Sequence, residues 1–139
     1  MLNVKRLNAY YGQSHVLRDV AVSVKQGEVV VMLGPNGHGK STLLKSICGL
    51  VGNVTGRIIY KEDPIIGMAT EHVVNLGLIY IAENRELFPY MTVLDNLKLG
   101  AYSKNARAHE KENLEKVFEL FPRLVERKKQ LASTMSGGE

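Results

Sequence analysis

One stretch limits what this chain can become: the run Glu28–Leu33 (EVVVML), the loop Gly34-Pro35-Asn36-Gly37-His38-Gly39-Lys40-Ser41, and the helix-forming residues Lys40–Leu50. A continuous valine-rich run is the pattern of a parallel strand covered on both faces. A glycine-rich loop follows at once and a helix follows the loop, which is the opening of a βαβ unit. The loop satisfies G-x-x-x-x-G-K-[ST] without a mismatch. At ordinary residue frequencies a chance match in a chain this long is on the order of half a percent, so a phosphate site is the better reading.

Each residue type has a task in such a loop. The glycines permit positive φ angles and let backbone amides, that of His38 included, converge on phosphate oxygens. Lys40 brings a compact charge to the β- and γ-phosphates. The Ser41 hydroxyl is placed to ligate Mg2+, and the helix that starts here points its positive end at the anion. The His38 side chain is expected to point away from the phosphates and take no catalytic part. A nucleoside triphosphate site follows, though such loops also serve kinases, GTPases and motor ATPases.

Composition narrows the remaining classes. A chain of 139 residues suits one compact core. The lone Cys48 excludes a disulfide framework or a multi-cysteine metal site. Eighteen Lys+Arg against fourteen Asp+Glu give +4, a weak excess. Its densest cluster (Arg123, Arg127, Lys128, Lys129) has no interleaved aromatics, so a solvated face is expected and nucleic acid is not. No apolar run approaches the roughly 18 to 20 residues that cross a bilayer. Met1–Arg6 lacks the apolar stretch of a signal peptide, so a cytoplasmic protein is expected.

Along the chain, His15–Val24 alternates as a half-buried strand and Arg57–Tyr60 forms another. Met68–Leu76 has helical spacing with Gly77 as its stop, and Leu78–Ala82 reads as a second buried parallel strand. Thr92 caps a helix whose first turn holds Asp95. Asn105–Leu120 reads as one charged helix with Leu114, Val117, Phe118 and Phe121 on its buried side, ended by Pro122. Arg127–Met135 is expected to be loop. The sum is an α/β class with a mostly parallel sheet, an antiparallel portion near the N-terminus and a helical subdomain.

Four segments resemble the ATP-binding subunit of an ABC transporter, in that family's order: Tyr11-Gly12, Gly34–Thr42, Tyr80–Leu97 and Met135-Ser136-Gly137-Gly138-Glu139. The resemblance implies that Tyr11, beside Tyr10, stacks on adenine. It also implies that Gly34–Thr42 holds the phosphates of ATP. Ser136, Gly137 and Gly138 would open the signature motif and meet the γ-phosphate bound by a second subunit, in a head-to-tail dimer. Two positions depart from the family pattern: Met135 replaces the signature leucine, and Glu83 replaces the Q-loop glutamine. Glu83, with Lys40, is expected in the catalytic set and, with Ser41, on Mg2+.

The stretch Glu83–Val93 resembles ATPases of branched-chain amino-acid and related urea or amide importers. It implies a patch of Leu87, Phe88 and Met91 that docks an integral membrane permease subunit. A solute-binding protein and a location on the inner membrane face follow from the same resemblance. It divides the chain into a nucleotide-binding core at 1–82, a Q-loop and helical subdomain at 83–135, and the start of the signature at 136–139. The family's paired acids and later histidine follow the signature and do not occur within these 139 residues. The C-terminal part of the domain is thus expected to be missing and the chain to be a piece of a longer protein, binding ATP more surely than it hydrolyses it. Two other readings stand beside the importer: a soluble ABC-type ATPase acting on nucleic acid or ribosomes, and an ATP-binding fragment without turnover.

Overall fold

The computed structural model describes residues 1–84 and 86–136, apart from the side chain of Lys104. The chain forms two compact units, Met1–Ile81 and Ala82–Glu139.

The first unit is built on a four-stranded sheet. Strands β1 (Leu2–Tyr11) and β2 (Ser14–Val24) form a hairpin, β3 (Asn53–Tyr60) lies on the other side of β1, and the short β4 (Asp63–Pro64) edges β3. Every pairing is antiparallel. Val4, Leu7 and Ala9 of β1, Leu17 of β2, and Ile58 and Tyr60 of β3 supply the buried layer. Helix α1 (Lys40–Ile47) adds Leu43 and Ile47, and α2 (Thr70–Asn75) adds Val73. The α1 positions lie four apart, as a helix burying one stripe requires. Gly77 takes φ 90° just past α2, the left-handed geometry its sequence position forecast.

Ser46 shares the buried stripe of α1, yet its hydroxyl has no hydrogen-bond partner. A buried, unsatisfied hydroxyl costs stability, and alanine is the better helix former. Ser46→Ala is therefore expected to raise stability by about 1 kcal/mol, read as a higher urea midpoint at unchanged slope. A clear drop in the midpoint would show that the hydroxyl contributes.

The two expected parallel strands are not strands. Glu28–Leu33 and Leu78–Ala82 pair with no described residue. Val29, Leu33 and Ile81 are 88%, 91% and 89% exposed, while Met32 and Leu78 still pack on the core. A valine-rich segment becomes a strand only when a neighbour takes its backbone N–H and C=O groups. The α/β class stands, but the sheet present among the described residues is antiparallel throughout.

The second unit is helical: α3 (Val93–Leu99), α4 (Lys104–Ala108), α5 (Glu110–Leu120) and α6 (Pro122–Glu126). Thr92 caps α3 as expected, its Oγ1 accepting from the Asp95 amide at 3.1 Å and donating to the Asp95 carboxylate at 2.6 Å. The helix expected over Asn105–Leu120 is broken at His109, whose amide bonds back to Ala106 in a tighter turn. Leu114, Val117 and Phe118 are half-buried, but Phe121 is 58% exposed. Phe121 precedes Pro122 and leaves the helical region (φ −130°, ψ 72°), so the proline clash overrides the helical period. The segment expected as loop after Arg127 is tied back by Val93 N–H to the Gln130 carbonyl and Ala132 N–H to that of Met91, and contains one 3-10 turn.

Candidate nucleotide-binding site

The phosphate loop runs from the exposed Glu28–Leu33 segment into α1. Gly37 and Gly39 sit at φ 81° and 83°, so both glycines of the loop's tight end use the conformation that favours glycine. Gly39 caps α1 with no side-chain bond, and the first turn carries no acidic residue. Its early amides therefore lack both an internal acceptor and a neutralising carboxylate, the condition for anion binding.

Lys40 bends over this loop. Its Nζ donates to the Gly34 carbonyl at 2.7 Å and to the Pro35 carbonyl at 2.6 Å. An ammonium has three donors, so one remains for a phosphate oxygen while two brace the loop. Ser41 is exposed one residue on, with Thr42 half-buried behind it. The His38 ring turns back on its own loop, Nδ1 donating to the Asn36 carbonyl at 3.1 Å.

At the helix's far end, Cys48 caps α1 in the core, and burial pushes its thiol above the ordinary value.

The hairpin comes close to the loop. A side chain at Gly39 would meet Leu17 Cδ2 at 2.7 Å, and Leu17 pairs with Ala9, two positions before Tyr11. Tyr11, paired with Ser14 at the turn, is 50% exposed, whereas Tyr10 is half-buried and stacked on His15. Of the two adjacent tyrosines, Tyr11 is the more available to a planar ligand.

The other expected residues lie in the second unit. Glu83 is exposed in a bend, Ser136 is exposed, and Gly137 and Gly138 fall outside the described residues. Leu87 and Phe88 are exposed and Met91 half-buried. Sequence reasoning missed Asn96, which fixes this loop. Its Oδ1 accepts from Phe88 N–H at 2.9 Å, and its Nδ2 donates to the carbonyls of Phe88 at 3.1 Å and Thr92 at 3.0 Å. It also missed Asn8, His15 and Asp19, which meet on the hairpin. Neither group carries a motif, and only the fold brings its members together.

A glycine loop with a braced lysine at the start of a helix, packed on an antiparallel sheet and followed by a helical unit, defines a nucleotide-binding cassette. The sequence model of the ABC transporter family matches residues 17–139, and the chain belongs to that family. It is 40% identical to the high-affinity branched-chain amino acid transport ATP-binding protein BraG of Pseudomonas aeruginosa, over the whole chain and 59% of BraG. It is 36% identical to the probable branched-chain amino acid transport ATP-binding protein LivF of Archaeoglobus fulgidus, over the whole chain and 58% of LivF. A nucleotide-free ATP-binding cassette from an ABC transporter is similar over 99% of this chain and 59% of its own (TM-score 0.79, 28% identity). The ADP conformation of the cassette MJ1267 is similar to the same extent (TM-score 0.77, 28% identity, 99% and 59% covered). The chain thus spans about three-fifths of these relatives. Among the described residues no helix is long and apolar enough to cross a membrane.

Proposed function

We propose that this chain is the ATP-binding part of an importer ATPase that powers uptake of branched-chain amino acids or a related small solute. The observation that carries the reading is the phosphate loop, with Gly37 and Gly39 at positive φ, Lys40 folded over it and an uncapped helix start behind it. Gly34, Pro35, Asn36, Gly37, His38, Gly39, Lys40, Ser41 and Thr42 hold the triphosphate, and Tyr11 stacks on adenine. Magnesium is held by one or two side chains plus substrate phosphates and neutralises their charge. Ser41 and Glu83 are the side chains assigned to it.

Ser136, Gly137 and Gly138 are assigned to the nucleotide of a second subunit in a head-to-tail dimer, and Leu87, Phe88 and Met91 to a permease subunit at the inner membrane face. A solute-binding protein delivers the cargo. The division follows these tasks, with the nucleotide core at 1–82, the Q-loop and helical subdomain at 83–135 and the signature from 136. The whole protein hydrolyses ATP, with Lys40 and Glu83 in the catalytic set.

The test uses the full-length protein reconstituted in vesicles with its permease subunits. ATP-dependent uptake of labelled leucine, isoleucine or valine is expected. ATP hydrolysis without uptake of any of the three would overturn branched-chain amino acids as the solute, and no nucleotide binding would overturn the site.

A further inference from the structure

The β1–β2 hairpin carries a polar network that the phosphate loop does not use. Asn8 Nδ2 donates to the Asp19 carboxylate and to the Arg6 carbonyl, each at 3.0 Å. Its Oδ1 therefore faces the Asp19 amide at 3.1 Å and His15 Nε2 at 2.9 Å. An amide oxygen only accepts, so Nε2 is an imidazole nitrogen that bears a proton. Held in this way, the His15 ring stacks on Tyr10 with centroids 4.3 Å apart and planes 20° from parallel. Tyr10 and His15 are register partners, and the next pair, Tyr11 and Ser14, closes the hairpin.

The backbone is distorted where this network forms. Arg6 and Asp19 both adopt φ 48°, and the β1–β2 register shifts between Val4 and Leu7 and again before Ala9 and Tyr10. Such bulges re-aim side chains, and left-handed non-glycine residues cost on the order of 1 to 3 kcal/mol each. The shift between Val4 and Leu7 also keeps Val4, Leu7 and Ala9 on the buried face, while Asn8 and Asp19 lie outside the buried cluster. At the same place it brings Asn8 and Asp19 to the His15–Tyr10 pair beside the turn.

We propose that His15, locked by Asn8 and Asp19 and stacked on Tyr10, is the positioning residue that presents Tyr11 to the purine ring of the nucleotide. This rests on the assignment of Tyr11 to adenine. A stacked pair immediately before the turn fixes the geometry of Tyr11 in advance, so less freedom is lost when the base binds.

Calorimetric titration with Mg-ATP and with magnesium tripolyphosphate separates base from phosphate. Tyr11→Ala is expected to weaken ATP about tenfold, the scale of one lost base–aromatic stack, and to leave tripolyphosphate unchanged. His15→Ala is expected to weaken ATP about threefold to tenfold, the effect of ordering one more side chain on binding, again with tripolyphosphate unchanged. The double variant should bind ATP no worse than Tyr11→Ala alone. His15→Phe, which keeps a ring against Tyr10, should bind ATP more tightly than His15→Ala.

An ATP affinity untouched by Tyr11→Ala would sink the adenine assignment and the proposal together. If Tyr11→Ala weakens ATP but His15→Ala does not, or if the two losses add in full, only the proposal falls. A parallel loss of tripolyphosphate binding in His15→Ala would make His15 a general support of the fold, and His15→Phe no better than His15→Ala would rule out the stack. Either result overturns the proposal.

Discussion

Replacing Lys40 by alanine should lower the affinity for Mg-ATP about 100-fold or more and leave the melting temperature almost unchanged. Lys40 is the only lysine or arginine within Gly34–Ser41. A hydrogen bond to a charged group contributes about 1.5 to 3 kcal/mol, so losing the one phosphate contact left to Nζ accounts for up to about 100-fold. The structure adds a second cause. The same Nζ braces the Gly34 and Pro35 carbonyls, so the alanine variant loses the contact and the loop's preorganisation together. Arginine should not restore binding, since a planar fork cannot reproduce a point charge bonded to two successive carbonyls. The check is calorimetric titration of the wild type, Lys40→Ala and Lys40→Arg. An alanine variant with wild-type affinity would remove the phosphate loop from the site.

The loop was legible because its chemistry is local. Glycines at fixed spacing, a lysine and a hydroxyl follow one another along the chain, and no distant residue is needed to interpret them. The Thr92 cap was legible for the same reason, donor and acceptor lying three residues apart. The strands divide by their dependence on partners. His15–Val24 alternates and has β1 beside it, whereas Glu28–Leu33 has an equally good strand sequence but no pairing neighbour among the described residues. Phe121 was misplaced because helical period and the restriction before Pro122 conflict there, and the restriction acts on the backbone directly. The meeting of Asn8, His15 and Asp19 was invisible, since a strict period-2 reading contains no bulges.

Those bulges lead to the second large effect, Gly56→Ala, which should cost about 2 to 5 kcal/mol from left-handed strain and backbone overlap combined. Gly56 adopts φ 116° on β3, and a Cβ there would collide with the Arg6 carbonyl of β1, where the β1–β3 register shifts. Backbone on both sides leaves nothing flexible to yield. Small domains are stable by only about 5 to 15 kcal/mol, so the variant should unfold at a much lower urea concentration. Gly67 supplies the control. Its φ is 74° but a Cβ would meet nothing within 4 Å, so Gly67→Ala carries only the left-handed penalty of about 1 to 2 kcal/mol. Equal midpoints for the two variants would show that the close approach at Gly56 is not what stabilises the sheet. The carbonyl that Gly56 spares is the one that accepts from Asn8, so the same clash strikes the network holding His15. In conditions where Gly56→Ala remains folded, its preference for ATP over tripolyphosphate should therefore fall, while Gly67→Ala keeps the preference of the wild type. An unchanged preference in folded Gly56→Ala would separate the bulge from the nucleobase end of the site.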